Sequence, residues 1–176
     1  MTKLLPIDSP DALIAALRQG RGVGARLPRV QLEGADLSGV DLTDARLSGA
    51  NLRRAKLSNA ILRGAFLDGA DLSEADCSGA DFEFAVLGAA TLTRTVFRAA
   101  ILRRANLVGA SGVEACFDGA DLYYARPGNA DFAGATFHNA QIQRAIFRRA
   151  NLTNADFTGA EGQANFENAT QTGMRR

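Results

Sequence analysis

The stretch Ala35-Asp36-Leu37-Ser38-Gly39-Val40-Asp41-Leu42-Thr43-Asp44-Ala45-Arg46-Leu47-Ser48-Gly49 states the rule by which this chain is built. Alanine returns every fifth residue from Ala25 to Ala160, missing only at Val30, Val40 and Thr95. Two residues after each alanine slot lies a second regular slot, from Leu27 to Gly162. It holds sixteen Leu, seven Phe and one Ile, with Cys77, Gly112, Pro127 and Gly162 as departures. A period of five fits no helix, because at about 100° per residue each step turns the next Leu away from the face of the last. It fits no continuous strand either, because an odd step alternates faces.

A chain that turns once per repeat removes the conflict. The Ala and the Leu or Phe then point to the same side of a short extended segment, and the remaining positions form the corner or meet water. One such unit cannot bury its apolar face alone, so the repeats must coil and stack. Gly at positions such as Gly34 and Gly39 suits the corner.

Repeats such as Ala35-Asp36-Leu37-Ser38-Gly39, Ala50-Asn51-Leu52-Arg53-Arg54 and Ala155-Asp156-Phe157-Thr158-Gly159 resemble the A(D/N)LXX motif of the pentapeptide-repeat family. The resemblance runs without insertion from residue 25 to about 162. It implies an all-β solenoid, a right-handed quadrilateral β-helix of about seven coils with four repeats per coil. The expected organisation is an N-terminal segment, 1–24, with a capping α-helix over about 10–19; the repeat shaft, 25–163; and an irregular C-terminal extension, 164–176, with a mobile tail. At about 4.8 Å per coil the shaft would be roughly 34 Å long.

Residues twenty apart should stack. One interior column reads Leu37-Leu57-Cys77-Phe97-Phe117-Phe137-Phe157, an aromatic ladder at its end; another pairs Gly112 with Phe132, small beside large. Pro127-Gly128 should interrupt strand pairing, because Pro has no N–H. Ser9 is placed to cap the helix, Pro10 suits its first turn and Gly20 its exit. Leu13, Ala16 and Leu17 are then expected to cover the first coil. At the far end Ala164 and Phe166 recur one residue early, so the register slips after Gly162.

Little in the chain suggests catalysis. The single histidine, His138, has Asp118 and Thr158 as expected column neighbours, a solvated pair with neither shelter nor nucleophile. A lone His without clustered Cys makes no zinc site. The recurrent Asp36, Asp41, Asp71, Asp76, Asp81, Asp121, Asp131 and Asp156 read as the solvated second slot of the motif. Cys77 should point inward and Cys116 outward, too far apart for a disulfide. The reading is no enzyme, no cofactor and no metal.

Net charge is +1, which gives no global attraction to nucleic acid. The charge is polarised, however: residues 31–90 carry five Lys/Arg against ten Asp/Glu, and residues 91–150 carry eight against four. The pairs Arg53-Arg54, Arg103-Arg104 and Arg148-Arg149 fall on different faces and form no nucleic-acid stripe. Without an apolar run long enough for a membrane or a secretory leader, the expectation is a cytoplasmic protein.

The surface departures carry the most information. Ile61, Phe66, Phe84, Val86, Ile101, Tyr123 and Tyr124 occupy outward slots that are elsewhere polar or Gly. One outward column on the fourth face reads Asp44-Gly64-Phe84-Arg104-Tyr124-Arg144, alternating rings with guanidiniums. This cluster is the candidate partner-binding surface. The expected function is a non-enzymatic protein-interaction scaffold or regulatory binding protein. It is similar to family members of photosynthetic bacteria with a helical cap, some of which regulate cell differentiation through protein contacts. The alternative is a DNA-mimicking, topoisomerase (gyrase)-binding protein like the fluoroquinolone-resistance members. That role implies a long acidic surface and a C-terminal dimer element, neither of which is evident here. The partner expected is an unidentified protein, with neither nucleic acid nor membrane. The chain itself is expected to be a monomer or weak dimer, paired through its C-terminal coil or its charge-polarised faces.

Overall fold

The computed structural model describes residues 9–176. Its shaft is a right-handed, four-sided β-helix in which parallel bridges join residues twenty apart, from Arg26 with Arg46 to Gln141 with Glu161. Each side of a coil repeats the same bonds. Leu32 N–H donates to the Asn51 carbonyl at 2.8 Å, Gly34 N–H to Arg53 at 2.8 Å, and Asn51 N–H to Val30 at 2.9 Å. The corner closes when Ala35 N–H donates to the Leu32 carbonyl at 3.1 Å. With φ of +67° at Gly34, this corner has the form of a type II turn. The Ala and Leu/Phe slots of the shaft are almost all buried and meet in one continuous core.

This bonding scheme leaves one backbone donor per side unused, and where the second slot of the repeat is Asp or Asn its side chain accepts it. Asp41 Oδ1 takes the Thr43 N–H at 2.9 Å and Asp71 Oδ1 the Ser73 N–H at 2.9 Å. Asp36, Asp76, Asp81, Asp121, Asp131 and Asp156 each do the same two residues ahead. These carboxylates are therefore more than a solvated slot. They complete the corner, as Asx turns do.

The interior follows the columns. Phe97, Phe117, Phe137 and Phe157 stack with centroid separations of 5.0, 4.8 and 4.3 Å and nearly parallel planes. Gly112 makes room for Phe132: a Cβ there would lie 2.4 Å from the ring. Thr95, in an alanine slot, is fully buried and donates its hydroxyl to the Leu72 carbonyl at 2.7 Å. At Pro127 the missing N–H removes one bridge, that of Arg126 with Ile146. The next bonds, Ile146 N–H to Ala125 at 2.9 Å and Asn129 N–H to Arg148 at 2.9 Å, keep the register. The interruption expected there is a single lost hydrogen bond, because only one donor of the coil belonged to that residue.

Both ends differ from expectation. The helix α1, Pro10–Ala16, is shorter than the 10–19 span read from sequence; a wide turn, Leu17–Arg21, follows, with Gly20 left-handed at φ +81°. Ser9 caps α1, and Leu13, Ala16 and Leu17 are buried against the first coil. Arg18 ties this cap to the shaft through the Asp36 carboxylate at 3.0 Å and the Asp36 carbonyl at 2.9 Å. At the other end, the segment read as an irregular extension with a mobile tail continues the ladder. Ile146 bridges Asn165, Asn151 bridges Thr170 and Asp156 bridges Arg175, each nineteen residues apart. The coil is one residue short at Gly162, where φ is +99°, and the pairing then resumes. No helix among the described residues is long and apolar enough to cross a membrane.

Candidate functional site

The corner column of the fourth face is where the outward rings gather. Every shaft residue in this corner position has a left-handed backbone, and Phe84, Arg104, Tyr124 and Arg144 share it at φ of 60°, 57°, 55° and 62°. That conformation costs a residue with a side chain roughly 1–2 kcal/mol relative to Gly. Phe84 and Tyr124 are the only aromatic residues that accept it among those described. The conformation fans the side chains outward at the spacing of the coils. The Arg104 guanidinium lies 5.5 Å from the Phe84 centroid and 6.0 Å from that of Tyr124. Arg144 lies 5.1 Å from the Tyr124 ring and donates to its hydroxyl. Tyr123 meets Tyr124 edge to face at 4.7 Å.

Around the corner Phe66 bridges Val86, and Arg46 sits 5.9 Å over the Phe66 ring. Phe84 is 48% exposed and Phe66 42%, so stacking leaves much of both rings in water. Ile61 and Ile101 lie on the same face but do not touch in the ladder: Asp81 bridges both and stands between them. The structure adds Ile146, which continues the Phe66–Val86 column after Asn106 and Arg126, and Val108 on the first face; both are exposed. Wrapping the sequence at twenty residues already contained Ile146, but its distance along the shaft from Phe66 hid it.

A second corner column shows what is unusual here. On the second face Arg54, Glu74 and Arg94 alternate in sign, with Arg54 to Glu74 at 3.1 Å and Glu74 to Arg94 at 3.8 Å. Those charges are spent within the chain. On the fourth face Arg104 and Arg144 form no salt bridge with any described residue, and neither does Asp44. Arg63 and Arg103, one position earlier, are paired: Arg63 with Asp81 at 3.3 Å and Glu83 at 2.6 Å, Arg103 with Asp121 at 2.6 Å.

His138 lies between two carboxylates, Asp118 at 3.2 Å from Nδ1 and Asp156 at 3.4 Å from Nε2. Asp156 replaces the expected Thr158 because the ring reaches diagonally to the coil above. Thr158 instead donates its hydroxyl and N–H to Asp156. Partial burial opposes the imidazolium, but the two carboxylates outweigh it and raise the His138 pKa above 6.5. The bonds from Thr158, and then the imidazolium, hold Asp156 at about 2. The raised imidazole contributes stability below its unfolded pKa and loses it as pH rises through the folded one. Thermal melts from pH 5 to pH 9 are expected to fall on the alkaline side in the native chain. His138→Gln should flatten that limb, and an unchanged slope would remove the imidazolium from the account.

Cys77 is buried and its thiol pKa is pushed up by burial, while Cys116 is partly exposed; both are free. Among the described residues no group of three or more His, Cys, Asp or Glu is arranged to hold a metal ion.

The family model described as pentapeptide repeats matches residues 23–54, 50–87, 90–126 and 130–161. Among solved structures, QnrB1, a plasmid-mediated fluoroquinolone resistance protein, is similar at 23% identity and a TM-score of 0.57, over 88% of this chain and 83% of that one. HetL, a pentapeptide repeat protein involved in heterocyst differentiation regulation in the cyanobacterium Nostoc sp. strain PCC 7120, is 24% identical over 93% of this chain and 95% of its own, at a TM-score of 0.43. A pentapeptide repeat protein from the thylakoid lumen of Arabidopsis thaliana is 32% identical over 74% of this chain and 73% of that chain, at a TM-score of 0.38. A comparison with curated proteins gives no match.

Proposed function

Because the chain belongs to the pentapeptide-repeat family, we propose that it acts as a non-enzymatic protein-interaction scaffold whose contact surface is the fourth face. The observation that carries this reading is the column Phe84, Arg104, Tyr124 and Arg144. Its two rings accept a costly left-handed backbone, Phe84 with 48% of its surface exposed and Tyr124 half-buried between Arg104 and Arg144, and its two guanidiniums have no carboxylate among the described residues. Rings and Arg of this kind supply most of the energy at protein interfaces. A rigid shaft holds them in place before binding, so little conformational entropy is lost when a partner docks. The protein partner fits this surface better than a nucleic acid does, since the unpaired Arg are few and lie among rings and carboxylates. The DNA-mimic reading needs a long acidic surface, and here only residues 31–90 are acidic, while the half that carries the unpaired Arg is basic.

The fold supplies a clean test. Glycine already occupies this corner at Gly64 with φ +62°. Replacing Phe84, Arg104 and Tyr124 together by Gly relieves three left-handed side chains while losing their stacking, so stability should change by only about 1–2 kcal/mol. Capture of a partner from the native cell should fall at least tenfold, the loss expected when interface anchors are removed. Undiminished capture by the folded variant would move the contact surface elsewhere.

A further inference from the structure

The fourth face is complementary to itself when turned end over end, and we propose that its occupant is a second copy of this chain, packed antiparallel. This rests on the reading of that face as a docking surface and names what it docks. The geometry is that of a two-fold axis lying across the face between the Phe84 and Arg104 coils. Such an axis reverses the shaft and returns each column onto itself, so that one pattern must satisfy both copies.

In the corner column, Asp44 then opposes the other copy's Arg144, Gly64 opposes Tyr124, and Phe84 opposes Arg104. These are a charge pair, a small residue under a large ring, and a ring under a guanidinium. The neighbouring column is compatible with it: Glu83 opposes Arg103, each already paired within its own chain, Arg63 opposes Tyr123, and Thr43 opposes Gln143. Asp81 and Asp121, which would face Ile101 and Ile61, are already neutralised within the chain by Arg63 and Arg103. Moving the axis half a coil one way sets Arg104 against its own copy, and half a coil the other way sets Phe84 against Phe84; both shifts lose the Asp44–Arg144 pair.

The axis also falls where the charge of the whole shaft changes sign. Residues 31–90 hold ten Asp/Glu against five Lys/Arg, and residues 91–150 hold four against eight. An antiparallel pair therefore lays each acidic half over a basic half. A parallel pair would set like over like. A face of about 34 Å by at most ~17 Å buries roughly 1,200 Å² in total, the low end for a specific interface. The pair should accordingly be reversible and weakened by salt.

Sedimentation velocity of the full chain tests this directly. At about 0.5 mM protein and ~50 mM salt the mass should approach twice the 18.6 kDa of the chain, and return toward one copy at ~0.5 M salt. Asp44→Arg alone and Arg144→Asp alone each set like charges together and should remain single copies. An equimolar mixture of the two restores both pairs and should associate, as should the double variant. Both substitutions place residue types that this corner column already carries, so the fold should hold, and melting temperatures check it. A native chain that stays single at the highest concentration, single variants that pair as the native does, or exchanges that restore nothing would each overturn the proposal. If the native chain stays single yet the glycine variant loses a captured partner, self-pairing fails while the docking reading stands. If both copies pair and no other protein is captured, the occupant is the chain itself.

Discussion

Phe117→Ala is expected to lower the unfolding free energy by about 3–5 kcal/mol, the full cost of removing a buried aromatic ring. Phe117 is fully buried between Phe97 at 5.0 Å and Phe137 at 4.8 Å, with the edge of Phe132 at 5.2 Å. In most cores part of the cavity left by such a change collapses, which reduces the loss. Here the coils cannot close up. Their separation is fixed by ladder bonds on the same side, such as Phe117 N–H to Thr136 at 2.7 Å and Cys116 N–H to Thr95 at 3.0 Å. The cavity should therefore persist and the loss lie at the upper end of that range. Chemical denaturation with a single transition measures it; a loss below about 1.5 kcal/mol would mean that neighbouring rings move into the space and that the ladder is plastic.

How far a sequence betrays such a structure depends on whether the deciding force is periodic. Burial is, and the interior columns from Leu27 to Phe157 can be read from spacing alone. So can the fourth-face column, since residues twenty apart must share a position. Hydrogen-bond completion is less visible. Spacing alone gives the recurrent Asp only a solvated slot, because nothing in it reveals that the ladder omits one N–H per side. Nor does spacing reveal which charges are spent. Arg54 and Arg104 occupy equivalent corners, yet Arg54 is held by Glu74 and Arg104 has no carboxylate partner among the described residues. Spacing does not reveal the second partner of His138 either, because its ring reaches across columns to Asp156 rather than along its own.

The C-terminal segment is the case where local composition misled most, and it yields the sharpest contrast between two pictures of the molecule. Ending the chain after Ala160 should be strongly destabilising, although the polar run Thr170–Arg176 reads as dispensable. Residues 161–176 accept from Phe147 through Asn165 at 2.8 Å, from Leu152 through Thr170 at 2.8 Å and from Phe157 through Arg175 at 2.9 Å. They also carry the lid over the aromatic end. Phe166 stacks on Phe147 at 5.2 Å and meets Phe157 edge to face at 5.6 Å, and the Arg176 guanidinium covers Phe166 at 4.6 Å. Removing this lid uncovers two rings worth about 1.5–3 kcal/mol each and an unpaired parallel edge. The shortened chain is expected to melt well below the native one, to exchange the amides of residues 142–157 rapidly, and to aggregate end to end. If residues 161–176 were instead a loose tail, the two chains would melt together and exchange alike. Hydrogen exchange on the native protein separates the pictures even before truncation, because the Arg175 N–H, bonded to Ala155 at 3.0 Å, is protected only if the last turn of the shaft is formed.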